Sequence, residues 1–169
     1  MQIRRLTPAD ASAFQALRLV GLLKEPSAFG SSYEEEKDFA ASIIEGCLAE
    51  RTDQGAFGAF EQDVLIGLGA LRRERMNKFS HKGLIWGMYV KPEHRGQGVA
   101  RALLVEILSL ARSVPELKQV NLSVNASHKG AIHLYLSFGF TQFGRAPGSL
   151  LINGVLHDEI QMYLGLADT

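Results

Sequence analysis

Polar and apolar positions change their spacing several times along the chain, and each change predicts an element. Ile3 and Leu6 frame a short opening strand. Thr7-Pro8-Ala9-Asp10 reads as an N-cap, a proline at the first helical position and an acidic residue, and Phe14, Leu17, Val20 and Leu22 follow at helical spacing to about Leu23. Glu25-Pro26-Ser27 breaks that helix. Ser32-Tyr33-Glu34-Glu35 is a second capping pattern, predicting one helix through Phe39, Ile43, Ile44 and Leu48. Residues 55–60 and 64–71 are apolar segments joined by Glu61-Gln62-Asp63, a hairpin pattern. After a polar stretch, 84–90 is a nearly unbroken apolar run ended by Lys91-Pro92, as expected of a strand covered on both faces.

The second half repeats strand and helix. Residues 99–111 carry apolar side chains at 99, 103, 107 and 110, a helical stripe. Residues 120–124 alternate as a strand, and 126–138 read as a helix closed by Gly139. Residues 140–143 and 155–164 read as two last strands around a loop holding Gly144, Pro147, Gly148 and Gly154. The pattern is one mixed α/β domain over residues 1–169, without repeat or linker.

Composition narrows the function classes. Eighteen Lys and Arg balance eighteen Asp and Glu, so the basic footprint of a nucleic-acid binder is missing. A single cysteine, Cys47, excludes an intrachain disulfide or a multi-cysteine zinc site. On its helix it reads as a small buried hydrophobe, since no activating partner is evident. His128 and His133 are five residues apart, not the i,i+4 spacing of a helical metal pair, and no metal is expected. No secretory signal or run of ~20 apolar residues is visible. The expected location is the cytoplasm, with no membrane or nucleic-acid partner.

The chemistry concentrates in Val90-Lys91-Pro92-Glu93-His94-Arg95-Gly96-Gln97-Gly98-Val99-Ala100-Arg101. A buried strand enters a turn with two glycines, and a helix leaves at once. Unpaired N–H groups and the macrodipole make a helix start attractive to anions, and glycines let a phosphate approach the amides. A dinucleotide-binding G-x-G-x-x-G fails because Arg101 takes the last position, and a Walker loop fails because Val99-Ala100 follow Gly98. The turn alone is equally explained as a helix start with two convenient glycines.

The surrounding residues add a family. Arg95-x-x-Gly98-x-Ala100 after Val90-x-Pro92, followed by Ala131-x-x-Leu134-Tyr135-x-x-x-Gly139-Phe140, resembles the two linked signatures of the GNAT superfamily of acetyl-CoA-dependent N-acetyltransferases. The order of elements fits from residue 2 to 164. One departure is His128, where family members often carry Asn; an Asn stands earlier, at Asn125.

The resemblance implies a twisted, mostly antiparallel sheet of six or seven strands with a splayed central parallel pair and about four helices. It implies that acetyl-CoA lies in the resulting slot, with the pyrophosphate on the amides of Arg95, Gly96, Gln97, Gly98, Val99, Ala100 and Arg101. Met88, Tyr89 and Val90 would flank the pantetheine arm, and Asn125 or His128 would hold its other side. It also implies direct attack by a primary amine in a ternary complex. The acceptor expected is a small amine or amino acid; alternatives are a protein N-terminus, a lysine side chain, or a catalytically weak acyl-CoA sensor. A homodimer is common among relatives.

Acetyl transfer to an amine needs a neutral nucleophile and a proton for the departing thiolate. Tyr135 stands where the family places its general acid, and a phenol is protonated at neutral pH; otherwise its ring simply packs under the helix. The strand before the turn holds no carboxylate, so a general base must lie elsewhere. Glu34, Glu35 and Glu36 are candidates for the acceptor side, although acids in a first helical turn already favour the dipole. Asp158 and Glu159 are the others, and strand alternation lets at most one face the slot. Five basic residues between Arg72 and Lys82 either draw a phosphate or partner, or form a solvated hairpin tip.

Overall fold

A computed structural model describes residues 1–166. The elements are β1 (Gln2–Arg5), α1 (Ala11–Lys24), α2 (Tyr33–Glu36), α3 (Ala41–Leu48), β2 (Gly55–Glu61), β3 (Val64–Arg73), β4 (Lys82–Val90), α4 (Val99–Ser113), β5 (Gln119–Asn125), α5 (Lys129–Ser137), β6 (Thr141–Ile152) and β7 (Val155–Gly165). One seven-stranded sheet has the order β1-β2-β3-β4-β5-β7-β6. Every neighbouring pair is antiparallel except β4 and β5.

That parallel pair is short. Lys82, Gly83 and Leu84 pair with Gln119, Val120 and Asn121, and the pairing then ends. β4 remains bonded to β3 to its last residue, and β5 to β7. The sheet therefore opens into a V between its two halves. A bulge helps turn β4: Leu68 pairs with Tyr89 and Ala70 with Trp86, leaving Gly87 and Met88 opposite one residue. Gly87 has φ +67, a conformation that a Cβ disfavours.

Each face of the sheet has its own core. Val99, Leu103, Leu104, Ile107, Leu108 and Ala111 form the buried stripe of α4 and pack on Leu71, Ile85, Val120 and Met162. On the other face, Phe14, Leu17 and Leu22 of α1 meet Leu68, Ala70 and Tyr89, together with Ile44 and Leu48 of α3. The Gln62-Asp63 hairpin turn forms as expected, both residues with positive φ.

Four sequence expectations need correction. The second helix is two helices: the chain leaves α2 after Glu36 and resumes at α3 from an extended Ala40 without a capping side chain. Packing sets this break, because Glu36 turns inward to Arg18 while Ile44 and Leu48 reach the core. Cys47 is exposed rather than buried, since the buried positions of α3 are Ile44 and Leu48. α5 starts at Lys129 rather than 126, because the Asn125 side chain accepts from the Ser127 N–H at 2.9 Å and its hydroxyl at 2.6 Å, holding a turn. The expected loop from 144 to 154 is mostly strand: β6 passes Gly144, Pro147 and Gly148 by register shifts on an edge strand, and only Asn153-Gly154 turns.

Arg18 and Glu36 form the buried ion pair of this face, bidentate at 2.5 and 2.7 Å. Burial pushes the Glu36 carboxyl up, but hydrogen bonds from Arg18 and Ser31 outweigh it and the net shift is downward. A lowered folded pKa stabilises above the unfolded pKa, and that contribution is lost as pH falls through the folded value. Glu36→Ala leaves the Arg18 charge buried and unpaired and is expected to cost about 3–5 kcal/mol in urea unfolding. Its loss should shrink as pH falls below the carboxylate range; a cost under ~1 kcal/mol at pH 7 contradicts the structural role.

Candidate functional site

The V opens into a cleft of about 770 Å³. One wall is the free edge of β4 and the other is β5 with the start of α5. Backbone groups along the β4 edge beyond Leu84 have no strand partner on the β5 side, and such groups need partners when covered. Met88, Tyr89 and Val90 line this wall, as does Trp86, whose indole Nε1 is buried without a hydrogen-bond partner.

At the mouth, the chain between β4 and α4 makes the turn read from sequence. Gly96 and Gly98 have φ +73 and +81, and Gly98 is the N-cap of α4. A Cβ built on either would meet nothing within 4 Å. The requirement for glycine is therefore conformational, and the space above the amides is open to a ligand. Arg95, Gly96, Gly98, Val99, Ala100 and Arg101 all line the cleft; Gln97 does not, and its amide donates to the Glu93 carbonyl at 3.2 Å. Arg95 donates to the Val90 carbonyl at 3.0 Å and contacts Glu25 at 2.5 Å. Arg101 donates to Ser137 at 2.9 Å and lies 4.9 Å from the Phe138 ring centre, tying α4 to α5. The donor set suits a phosphorylated ligand: amides at a helix start flanked by two guanidiniums.

Across the slot, Asn125 and His128 line the opposite wall. The Asn125 side chain is spent on the turn before α5, and His128 Nε2 lies 3.2 Å from Ser27 Oγ. Tyr135 reaches the cleft from α5 with its ring edge-on to Phe140. Burial pushes its phenol up to about 12, so it stays protonated throughout the range in which proteins work.

The five acids divide sharply. Glu159 lines the cleft and accepts from Ser149 at 2.5 Å. Asp158 does not line the cleft; the Gly148 N–H at 2.8 Å and Arg145 at 2.7 Å hold it and lower its pKa. Glu34, Glu35 and Glu36 do not line the cleft. Glu34 pairs with Lys37, Glu35 closes the cap with Ser32, and Glu36 holds Arg18.

Sequence reasoning missed Glu25, Ser27 and Trp86. Glu25 and Ser27 read only as a helix break, yet their segment spans the mouth, joined to Arg95 on one side and His128 on the other. No local pattern signals such a crossing. Trp86 sat in an apolar run whose facing is set by the bulge at Gly87. Among the described residues no cluster of His, Cys, Asp or Glu could hold a metal ion, and no helix is long and apolar enough to cross a membrane.

Known proteins resemble this chain in sequence and in fold. The spermidine N(1)-acetyltransferase of Vibrio cholerae is 31% identical over 103 residues, 61% of this chain and 58% of that protein. The chain thus spans little more than half of that relative. A GNAT-family acetyltransferase from Streptococcus pneumoniae superposes with a TM-score of 0.85 at 21% identity, covering 97% of this chain and 98% of the other. A putative acetyltransferase from Salmonella typhimurium, solved with its cofactor acetyl-CoA, gives 0.82 at 20% identity over 100% and 95% of the two chains. At such identities these two likenesses speak for the fold. The sequence pattern of the acetyltransferase (GNAT) family matches residues 19–140. The chain belongs to the acetyltransferase (GNAT) family.

Proposed function

We propose that this chain is an acetyl-CoA-dependent N-acetyltransferase that acetylates the primary amine of a small molecule by direct attack in a ternary complex. The observation that carries the reading is the glycine turn at the start of α4, open above its amides and placed at the mouth of the V. The acetyl-CoA bound in the Salmonella relative and the amine named for the Vibrio relative support it.

In this reading the amides of Gly96 and of residues 98–101 bind the pyrophosphate, and Arg95 and Arg101 supply positive charge. The free edge of β4 at Met88–Val90 pairs with the amide-bearing arm. Acetyl-CoA brings an acetyl group activated as a thioester, whose departing sulfur needs a proton. Tyr135 holds that proton at its hydroxyl. Glu159 is the carboxylate best placed to draw a cationic amine to the slot, at about 1–4 kcal/mol for a separation near 4 Å. The amine must lose a proton before attack, so turnover rises with pH toward the amine's own pKa. Trp86, Tyr89 and Leu134 line the slot between these groups.

Gly98→Glu puts a side chain and a negative charge into the cradle and is expected to abolish acetyl-CoA binding by calorimetry. Unchanged affinity in a folded variant contradicts the assignment. Tyr135→Phe is expected to lower kcat roughly 10²-fold with acetyl-CoA affinity intact. Because burial pushes the phenol up to about 12, the wild type should show no alkaline loss of kcat near pH 10. Equal rates for the two proteins would mean that solvent supplies the proton.

A further inference from the structure

A second cavity adjoins the cleft at the closed end of the V. Leu122 and Ser123 line both the slot and this cavity, which measures about 380 Å³. This cavity lies over the strand pairing at the closed end of the V, where Leu84 and Asn121 are register partners. The chain linking β3 to β4 folds over it and contributes Met76 and Phe79, and β6 contributes Phe143.

The lining has a definite chemistry. Met76, Phe79 and Phe143 are 68%, 44% and 55% exposed. Single exposed apolar side chains are ordinary; here three surround one concavity. Charge cancels within it. Glu74 and Lys82 are cross-strand neighbours, the Glu74 N–H donating to the Lys82 carbonyl at 3.0 Å, and both line the cavity. Lys82 Nζ lies 5.1 Å from the Phe79 ring centre, occupying that aromatic face with a cation. The remaining polar contributors, Asn121, Ser123 and Gln161, are neutral.

The shared lining residues give the geometry of an occupant. Ser123 borders the slot and Asn121 belongs to the second cavity, two residues along one strand, or about 7 Å. We infer that this cavity holds the non-reacting body of the acceptor, and that this body is apolar and uncharged. The acceptor class is an arylalkylamine whose short tether spans from slot to cavity. This rests on the acetyltransferase reading and adds the substrate class to it. A polyamine fits less well: its distal ammonium would leave water for a lining with no net charge to receive it.

The test compares 2-phenylethylamine, propylamine and spermidine by thiol release from acetyl-CoA, with calorimetric binding of 2-phenylethylamine as an independent readout. The expected kcat/KM for 2-phenylethylamine exceeds that for propylamine by about ten-fold or more. Phe79→Ala should raise KM for 2-phenylethylamine about ten-fold while leaving propylamine turnover and the acetyl-CoA KM unchanged. Phe143→Ala, on a different element, should do the same and guards against a local folding defect. Equal kcat/KM for the two monoamines in the wild type overturns the inference, as does a spermidine preference abolished by Glu74→Gln. If thiol is never released but 2-phenylethylamine binds and Phe79→Ala weakens it, the cavity stands and the transferase reading falls. Absence of both overturns the inference as well.

Discussion

Three residue pairs of parallel ladder hold the two halves of this sheet together. From Ile85 onward β4 belongs only to β3, and from Leu122 onward β5 belongs only to β7. A sheet edge inside a molecule is costly unless something pairs with it. Here the separation is enforced from both sides. The bulge at Gly87 bends β4 away, and the core under α4 fixes the strand roots through Ile85, Val120 and Leu122. The result is a slot whose walls are rigid sheet and whose mouth is a helix start. The placement of Arg95, Tyr135 and Glu159 follows from it.

Charge inside this frame is arranged in pairs that tie elements together. Arg18 and Glu36 lock α2 against α1, and the Arg18 guanidinium lies 5.3 Å from both the Phe29 and Trp86 ring centres. Phe29 in turn packs at 6.0 Å on Tyr89, and Arg95 lies 5.7 Å from the Tyr89 ring centre. A series of ring and cation contacts thus runs from the acid on α2 to the cation in the glycine turn. Glu25 ends the series by engaging Arg95, and its negative charge adds to burial in raising the Tyr89 phenol. The Arg95 guanidinium is thereby held in place at the mouth of the slot.

Most of the sheet was legible because its signals are local. The hairpin at Gln62-Asp63, the stripe of α4 and the unbroken run of β4 announce themselves in a few residues each. The glycine turn was legible for the same reason, and its fit to the family followed from Arg95, Gly98 and Ala100 with Tyr135. What failed depended on contacts across the sequence. Glu36 looked like a capping acid, and only its meeting with Arg18, eighteen residues earlier, shows its place. Cys47 changed from buried to exposed because α3 is turned by Ile44 and Leu48. The Gly144–Gly154 stretch read as a loop because glycine and proline usually break strands, whereas an edge strand absorbs them in bulges. The second cavity was invisible, since Phe79, Asn121 and Phe143 share no sequence pattern.

Amide hydrogen exchange, with and without acetyl-CoA, tests the central claim most directly. If the separated edge of β4 and the start of α4 receive the cosubstrate, exchange should slow at residues 85–90 and 96–101 together. Amides of β1 and β2, on the far side of the sheet, should be unaffected. Binding that leaves 85–90 and 96–101 unprotected while slowing exchange elsewhere would contradict the account.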